Sequence, residues 1–395
     1  MQMDRSEQRH RDGAERSGCT EDGAKIPPRP AAYDKKVALV LQGGGALGSY
    51  QAGVYEALST SEYLPDWVAG ISIGAINAAL IAGNPPQTRV ERLRAFWEGI
   101  TTPTLWGGWA APFDLHRRIS SLNALAFGQP GFFSPRLPMP WPIGTAPASY
   151  YDARPLKSTL ERLVDFDRIN AGEIRLSIGA VNVRTGDFAY FDNARTTIRP
   201  EHVMASAALP PGFPPVEIDG ECYWDGGLVS NTPLQYVLES IPRRSRLTFQ
   251  VDLFHARGLR PTNLDEVGER ENDIRYASKS RAITELFRMI HDVRHNYNNL
   301  WDRLPEDLRN TPEAKFLYEF GCVTTMDIVE LIYRPSGPQG VAKHCEFSRS
   351  TMRTRWEQGL SDARAALLAS RWLAPMPAGV GARTFYPPEP QANAV

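Results

Sequence analysis

Residues 35–83 read KKVALVLQGGGALGSYQAGVYEALSTSEYLPDWVAGISIGAINAALIAG. The order is strand, glycine loop, helix, short strand, sharp turn and helix. Val37 to Leu41 is apolar throughout, the pattern of a parallel strand covered on both faces. It runs directly into Gly43-Gly44-Gly45-Ala46-Leu47-Gly48, and Tyr50 to Ser59 follows as a helix with Ala52, Val54, Tyr55 and Leu58 turned to the sheet. A second strand, Trp67 to Ala69, ends at Gly70-Ile71-Ser72-Ile73-Gly74. A G-x-S-x-G between strand and helix is a nucleophile elbow, in which small flanking residues allow a turn tight enough to leave the serine hydroxyl exposed above the sheet. Ser72 is therefore the candidate nucleophile. Ala75 to Ala82, small and apolar on nearly all sides, is a central buried helix.

The glycine loop admits two readings. Its N–H groups converge where a helix begins, a place that favours negative charge. Gly43, Gly45 and Gly48 satisfy G-x-G-x-x-G, which in a dinucleotide site is followed about 20 residues on by an acid for the ribose. Glu62 and Asp66 have that spacing, but both sit in the turn SEYLPDW, and the strand that should present the acid enters the serine elbow instead. The other reading, an oxyanion-stabilising loop serving Ser72, uses every part of the stretch.

A chain of 395 residues can bury a large core, and 42% hydrophobic with 23% charged residues describes a soluble globular protein. A net charge of -1 gives no reason to expect nucleic acid. The first 30 residues mix acids and bases with almost no apolar content and end in prolines, so a disordered leader is expected over 1–34, without a secretory h-region. Cysteines at 19, 222, 322 and 345 have neither disulfide nor metal-ligand spacing. A cytoplasmic protein with free thiols is expected, with peripheral membrane contact and homo-oligomers left open.

Beyond Ala82, Arg89 to Gly99 reads as a helix. Residues 101–151 are rich in proline and aromatics and read as a long loop, either a cap or rim for an acyl group or irregular packing over a sheet edge. A helix at Leu156 to Val164, a hairpin at Ile174 to Phe191 and a short helix at Pro200 to Ala207 follow. The rigid Leu209 to Pro215 leads to Glu221-Cys222-Tyr223-Trp224-Asp225-Gly226-Gly227, with the aspartate at a strand end before two glycines. Ser230-Asn231-Thr232-Pro233 caps another helix. Arg246 to Leu253 alternates as a less buried edge strand would. Ile274 to Leu300 is a helix with Ile283, Leu286, Phe287, Ile290, Val293, Tyr297 and Leu300 on its inward stripe and Arg281, Arg288 and Arg294 on its other faces, which could also rest on an anionic membrane. Ile328 to Tyr333 is a strand, Ser348 to Leu373 a second long helix, and the stretch from Pro375 frayed or draped.

A serine needs a base within hydrogen-bond reach. Of seven histidines only His202, near the proline loop, has a context close to the site, and a surface or supporting role suits it better. The glycine loop, the G-x-S-x-G one helix later and the distant D-G-G followed by N-x-P together resemble the patatin-like phospholipase family. Ala205 to Gly220, ASAALPPGFPPVEIDG, also looks like the approach to that family's aspartate motif. The resemblance covers roughly Val37 to Val237. It implies a three-layer α/β/α sandwich with a central, mainly parallel sheet, Ser72 as nucleophile, Asp225 as its base without histidine, and Gly43, Gly44 and Gly45 as the oxyanion loop. Gly48, Gly70, Gly74, Gly226 and Gly227 support the motifs.

The implied organisation is a catalytic domain over 35–240, a largely helical extension over 241–375 packed on it, and a flexible tail over 376–395. The stretch 346–367, EFSRSTMRTRWEQGLSDARAAL, resembles the extension of a bacterial subfamily. The expected activity is hydrolysis of a phospholipid or lysophospholipid ester, without cofactor or metal and without nucleic acid. The same residues would serve an esterase or thioesterase on small substrates or an acyltransferase, and an occluded serine would leave a lipid-binding scaffold. No residue cluster has the ligands for a zinc hydrolase.

Overall fold

The computed structural model describes residues 25–102, 113–136, 149–258, 260–335 and 337–386. Most of the expected leader and the tryptophan- and proline-rich stretches 103–112 and 137–148 lie outside these residues.

The strands, in chain order, are β1 (Lys36–Leu41), β2 (Trp67–Ile71), β3 (Ser134–Pro135), β4 (Tyr151–Asp152), β5 (Arg175–Asn182), β6 (Phe188–Asp192), β7 (Val216–Ile218), β8 (Glu221–Asp225), β9 (Arg246–Asp252), β10 (Met326–Ile332) and β11 (Ala382–Phe385). β3 and β4 form a small hairpin, and the other nine make one sheet in the order β11-β10-β9-β1-β2-β5-β8-β7, with β6 also on β5. Every pairing from β11 across to β5 is parallel, and β6, β7 and β8 add antiparallel partners at the far side.

The helices are α1 (Ser49–Ser59), α2 (Ile73–Ala82), α3 (Arg89–Gly99), α4 (Phe113–Phe127), α5 (Arg154–Leu163), α6 (Phe166–Asn170), α7 (Pro200–Ser206), α8 (Leu234–Glu239), α9 (Leu264–Trp301), α10 (Glu306–Arg309), α11 (Pro312–Phe320) and α12 (Arg349–Ala369). Alternation along β1 sorts them into layers, because successive side chains of a strand face opposite sides. Val37, Leu39 and Leu41 join one core with α1, α2, α3 and α12, whereas Ala38 and Val40 join a second with α8 and α9. The result is an α/β/α sandwich. α1 and α12 touch backbone to backbone, since a Cβ on Gly53 would run into the Trp356 carbonyl and one on Gly359 into that of Tyr50.

Four differences from the sequence reading have physical causes. β9 is no edge strand: it lies between β1 and β10 and is buried at every position. Its alternate polar residues, Thr248, Gln250 and Asp252, face α9 rather than water, and Gln250 and Asp252 are hydrogen-bonded to each other. The stripe on α9 is split, with Phe287 buried, Ile283 and Ile290 half-buried, and Leu286, Val293 and Leu300 exposed. Arg294 points inward, to a bidentate pair with Glu239 at 2.7 and 3.1 Å, so it cannot serve a membrane face. The region 101–151 contains helix α4, and beyond it Phe132 and Phe133 are buried among Phe96, Tyr151, Phe213 and Phe347, which favours packing over a rim for these two. Within the stretch expected to be a tail, 382–385 pairs with β10 as the last strand.

Candidate active site

β2 ends in the elbow. Ser72 stands between β2 and α2 with φ 56 and ψ −125, a left-handed conformation that costs a non-glycine residue about 1–3 kcal/mol. Close packing holds it there. A Cβ on Gly70 would strike the Gly74 carbonyl across the turn, and one on Gly74 would strike the Leu41 carbonyl of β1. The Ser72 N–H donates to Ser206 Oγ at 3.0 Å, and that hydroxyl donates to the Gly179 carbonyl of β5 at 2.6 Å. Ser72 remains partly exposed in an otherwise buried turn.

Asp225 is the last residue of β8, which pairs with β5 and so lies two strands from β2, reaching the elbow across β5. Its carboxyl lies close enough to the Ser72 side chain for the hydroxyl to pull its pKa down, and its Oδ1 accepts a hydrogen bond from the Gly227 N–H at 2.7 Å. The side chain is fully enclosed, with 2% of the residue exposed. Burial lifts its pKa to about 7, against the opposing pull of those two groups. A carboxyl that ionises there can act as a base near neutrality, where an ordinary aspartate would be a much weaker one.

The glycine loop closes the third side. Gly43 is buried, and its peptide is locked to Asn231: the Gly43 N–H donates to the Asn231 carbonyl at 3.1 Å, and Asn231 Nδ2 donates to the Gly43 carbonyl at 2.9 Å. A Cβ on Gly43 would collide with Asn231 Oδ1 and lie 3.1 Å from Ser72 Cβ. Of the three loop glycines expected to donate to an oxyanion, Gly43 thus has its N–H committed within the protein. Gly44 and Gly45 are partly exposed, and among the described residues their N–H groups have no acceptor. The N–H of Ile73, first in α2, is likewise without an intrahelical partner. Gly48 sits against the Ile73 side chain, Gly226 against the Gly179 carbonyl, and Gly227 between Asn231 and Asp225.

Several supports of this site were not singled out from sequence. Asn231 reads from sequence as a helix cap and as the start of the N-x-P after D-G-G, and neither reading shows that it ties the glycine loop to the aspartate segment. Ser206, Ile73 and Tyr276, whose phenol is raised in pKa by burial and by the Asp225 charge, carried no local signal. Arg355 is the most distant. It is 1% exposed on α12, and it donates to the Ala46 carbonyl of the loop at 3.1 Å, to the Glu346 and Lys343 carbonyls at 3.2 and 3.1 Å, and to Gln339 Oε1 at 3.2 Å. Lysine lacks the forked donors to replace it. Arg355→Lys is therefore expected to lose about 2–4 kcal/mol in denaturant unfolding, with buried carbonyls left unpaired, and to speed hydrogen exchange in a peptide spanning the glycine loop.

Gly45 offers a second test. At φ +56 it faces the His344 carbonyl, with which any Cβ would collide. Gly45→Ala should displace the loop, lowering kcat about 100-fold, the scale of one lost oxyanion donor, while the thermal midpoint falls by only a few degrees. Wild-type kcat in a folded variant would remove the loop from the reaction.

His202 is accounted for structurally. It is buried, its Nδ1 accepts from the Arg199 N–H at 2.9 Å to cap α7, and its ring lies edge-on to Phe191 with 4.5 Å between centroids. Burial lowers its pKa. Among the described residues no group of three or more His, Cys, Asp or Glu is placed to hold a metal ion, and Cys222, Cys322 and Cys345 are free thiols.

Comparison with known proteins bears on the same segments. A family model described as patatin-like phospholipase matches residues 39–238, and one described as patatin phospholipase matches 274–379. A patatin-like phospholipase domain-containing protein of Aspergillus clavatus is 36% identical over 89 residues, and one of Aspergillus fumigatus 35% over 88. Each match covers 20% of this chain, and the chain spans 12% of the length of those relatives. They are fungal, whereas the resemblance in the extension pointed to a bacterial subfamily. Among solved structures, VipD from Legionella pneumophila aligns over 85% of this chain and 67% of its own at 15% identity and a TM-score of 0.36. Human GIVD cytosolic phospholipase A2 aligns over 85% and 60% at 12% identity and 0.35. With the first model spanning β1 to α8, including the glycine loop, the serine elbow and the D-G-G segment, the chain belongs to the patatin-like phospholipase family.

Proposed function

We propose that this protein is a serine acyl hydrolase that cleaves a carboxylic ester of a phospholipid or lysophospholipid through a Ser72–Asp225 dyad. The observation that carries the reading is a serine on a strained strand-to-helix elbow beside a buried carboxyl whose pKa is raised to about 7, next to N–H groups without acceptors.

Asp225 takes the Ser72 proton as the oxygen attacks the ester carbonyl. The carbonyl oxygen becomes an oxyanion that draws on the N–H groups of Gly44, Gly45 and Ile73, an interaction strongest in the transition state. Protonated Asp225 then passes its proton to the leaving alcohol as the tetrahedral intermediate collapses to acyl-Ser72. Water, deprotonated by the same carboxylate, attacks the acyl-enzyme and releases the acid, and the proton returns to Ser72. Because the return of Asp225 to its ionised form limits the first step at low pH, kcat/KM should rise with pH through an ionisation near 7.

The lipid element rests on family membership and on exposed apolar residues beside the aspartate segment, Leu209, Leu228 and Val229. No helix among the described residues is long and apolar enough to cross a membrane, and Arg288 is paired with Glu285 and Asp292 at 3.1 Å each. Peripheral contact would therefore centre on the mouth of the site rather than on basic side chains of α9. Backbone donors supply the charge stabilisation that a Lewis acid otherwise gives, so turnover should survive EDTA. Purified protein is expected to release fatty acid from lysophospholipid micelles or phospholipid vesicles in EDTA, and Ser72→Ala is not. Cleavage of short soluble esters with no release from either lipid form would favour the small-ester reading instead.

A further inference from the structure

A second cavity, of about 340 Å³, lies at the seam between the catalytic sheet and the extension. It is lined by Asp252 at the end of β9, Glu330 on β10, Arg281 of α9, Arg334 beyond β10 and Phe254, which also borders the glycine loop. A Cβ on Gly44 would lie 3.4 Å from that ring. The position is the carboxyl edge of parallel strands, where ligands of open α/β sheets bind, and the volume suits a small molecule.

The cavity presents donors without acceptors. Among the described residues the guanidiniums of Arg281 and Arg334 have no ion pair or hydrogen bond, although both lie near enough to Glu330 to lower its pKa. The nearby acids are not paired with them, although Asp362, which accepts from the Tyr50 hydroxyl, lies near Arg334. Glu285 is paired with Arg288. Asp252 and Glu330 are 5% and 4% exposed, and Gln250 Nε2 donates to both, at 2.7 and 3.2 Å. Burial holds both carboxyls well above the ordinary carboxylate range, and for Glu330 the Asp252 charge adds to it. Two like charges so enclosed do not both ionise readily, so the pair keeps a proton toward neutral pH and offers an O–H donor. Two forked cations and an O–H facing one cavity match the tetrahedral oxygens of a phosphate group.

We propose that this cavity binds a phosphate ester, gripped by Arg281 and Arg334 and hydrogen-bonded by Glu330. The ligand is either the headgroup of a lipid seated at Ser72 or a free phosphorylated small molecule. Binding of the anion favours the protonated pair, so affinity falls as pH rises through its titration. Arg257, Arg281, Arg334 and Glu285, the last paired with Arg288, face the same cavity, and burial raises the pKa of the Tyr386 phenol there. His255, whose Nε2 lies 3.5 Å from Asp273, also lines the cavity. Glu330→Gln tests the pH dependence, because it removes the carboxyl assigned to the ligand and leaves Asp252 as the one buried acid of the pair.

Calorimetric titration of the full chain with glycerol 1-phosphate, on both sides of neutral pH, tests the site without needing turnover. Saturable binding is expected in the wild type, about tenfold weaker in Arg281→Gln and in Arg334→Gln, with a flattened pH dependence in Glu330→Gln. Arg281 is exposed, so its variant should fold even where that of Arg334 does not. Hydrolysis of lysophosphatidic acid and of the monoacylglycerol with the same chain then identifies the source. Loss of kcat/KM in Arg281→Gln for the phosphorylated ester alone means a headgroup; weakened glycerol 1-phosphate binding with both esters cleaved as by wild type means a free ligand. No saturable binding in the wild type, or equal binding by wild type and Arg281→Gln, overturns the proposal. Failure to cleave either ester would count against the hydrolase reading, and the calorimetry would still decide the site.

Discussion

Asp225→Asn is expected to abolish turnover and at the same time to stabilise the protein, the gain in stability growing as pH rises toward 7. The amide retains an oxygen for the Gly227 N–H at the same place but cannot take the Ser72 proton, so kcat should fall on the order of 10⁴-fold. The sign of the stability change follows from linkage. The folded state raises the carboxyl from 3.8 to about 7, so the stability tied to its bound proton is full below the unfolded value and is lost as pH climbs to the folded one. Above pH 7 the native state carries a buried charge that the unfolded chain would solvate, a penalty on the order of 4 kcal/mol at most. Asparagine removes it. Denaturant unfolding of both proteins from pH 4 to pH 8 should show a gap that widens up to about pH 7 and levels off above it. A variant less stable than wild type at pH 8 would mean that Asp225 is compensated in a way its burial does not reveal.

Ser72→Gly should likewise gain stability while losing activity. Glycine adopts φ 56 without the Cβ penalty, so about 1 kcal/mol of strain is released. The N–H to Ser206 is retained, which keeps the turn anchored. Turnover should drop on the order of 10⁴-fold or more, because no other hydroxyl is presented on the elbow. Ser72→Ala should be equally inactive but without the gain, since alanine inherits the backbone strain. Comparable midpoints for the two variants would show that the elbow is not strained.

The segment from β1 to α2 was legible in sequence because its signals are local: an apolar run, glycines at the turns and a serine between two elements. The order of β8, Asp225 and the glycines was legible for the same reason. What stayed hidden depends on partners far along the chain. Asn231 meets Gly43 across 188 positions and Arg355 meets Ala46 across 309, and neither contact leaves a trace in a short window. β9 misled because alternating polar residues look the same whether they face water or a buried hydrogen-bonded network. α9 misled because a long helix that borders a sheet over part of its length does not hold one apolar stripe inward from end to end. Asp225 could be named from its motif, but its titration near 7 comes from enclosure, which only the packed structure supplies.

The most direct test of the dyad is covalent trapping. Wild-type protein treated with a fluorophosphonate should gain one label, mapped to the peptide containing Ser72, at a rate that rises with pH along a single ionisation near 7 and is nearly abolished in Asp225→Asn. A label on another residue, or equal rates in wild type and Asp225→Asn across that pH range, would contradict the assignment of Ser72 as nucleophile and Asp225 as its base.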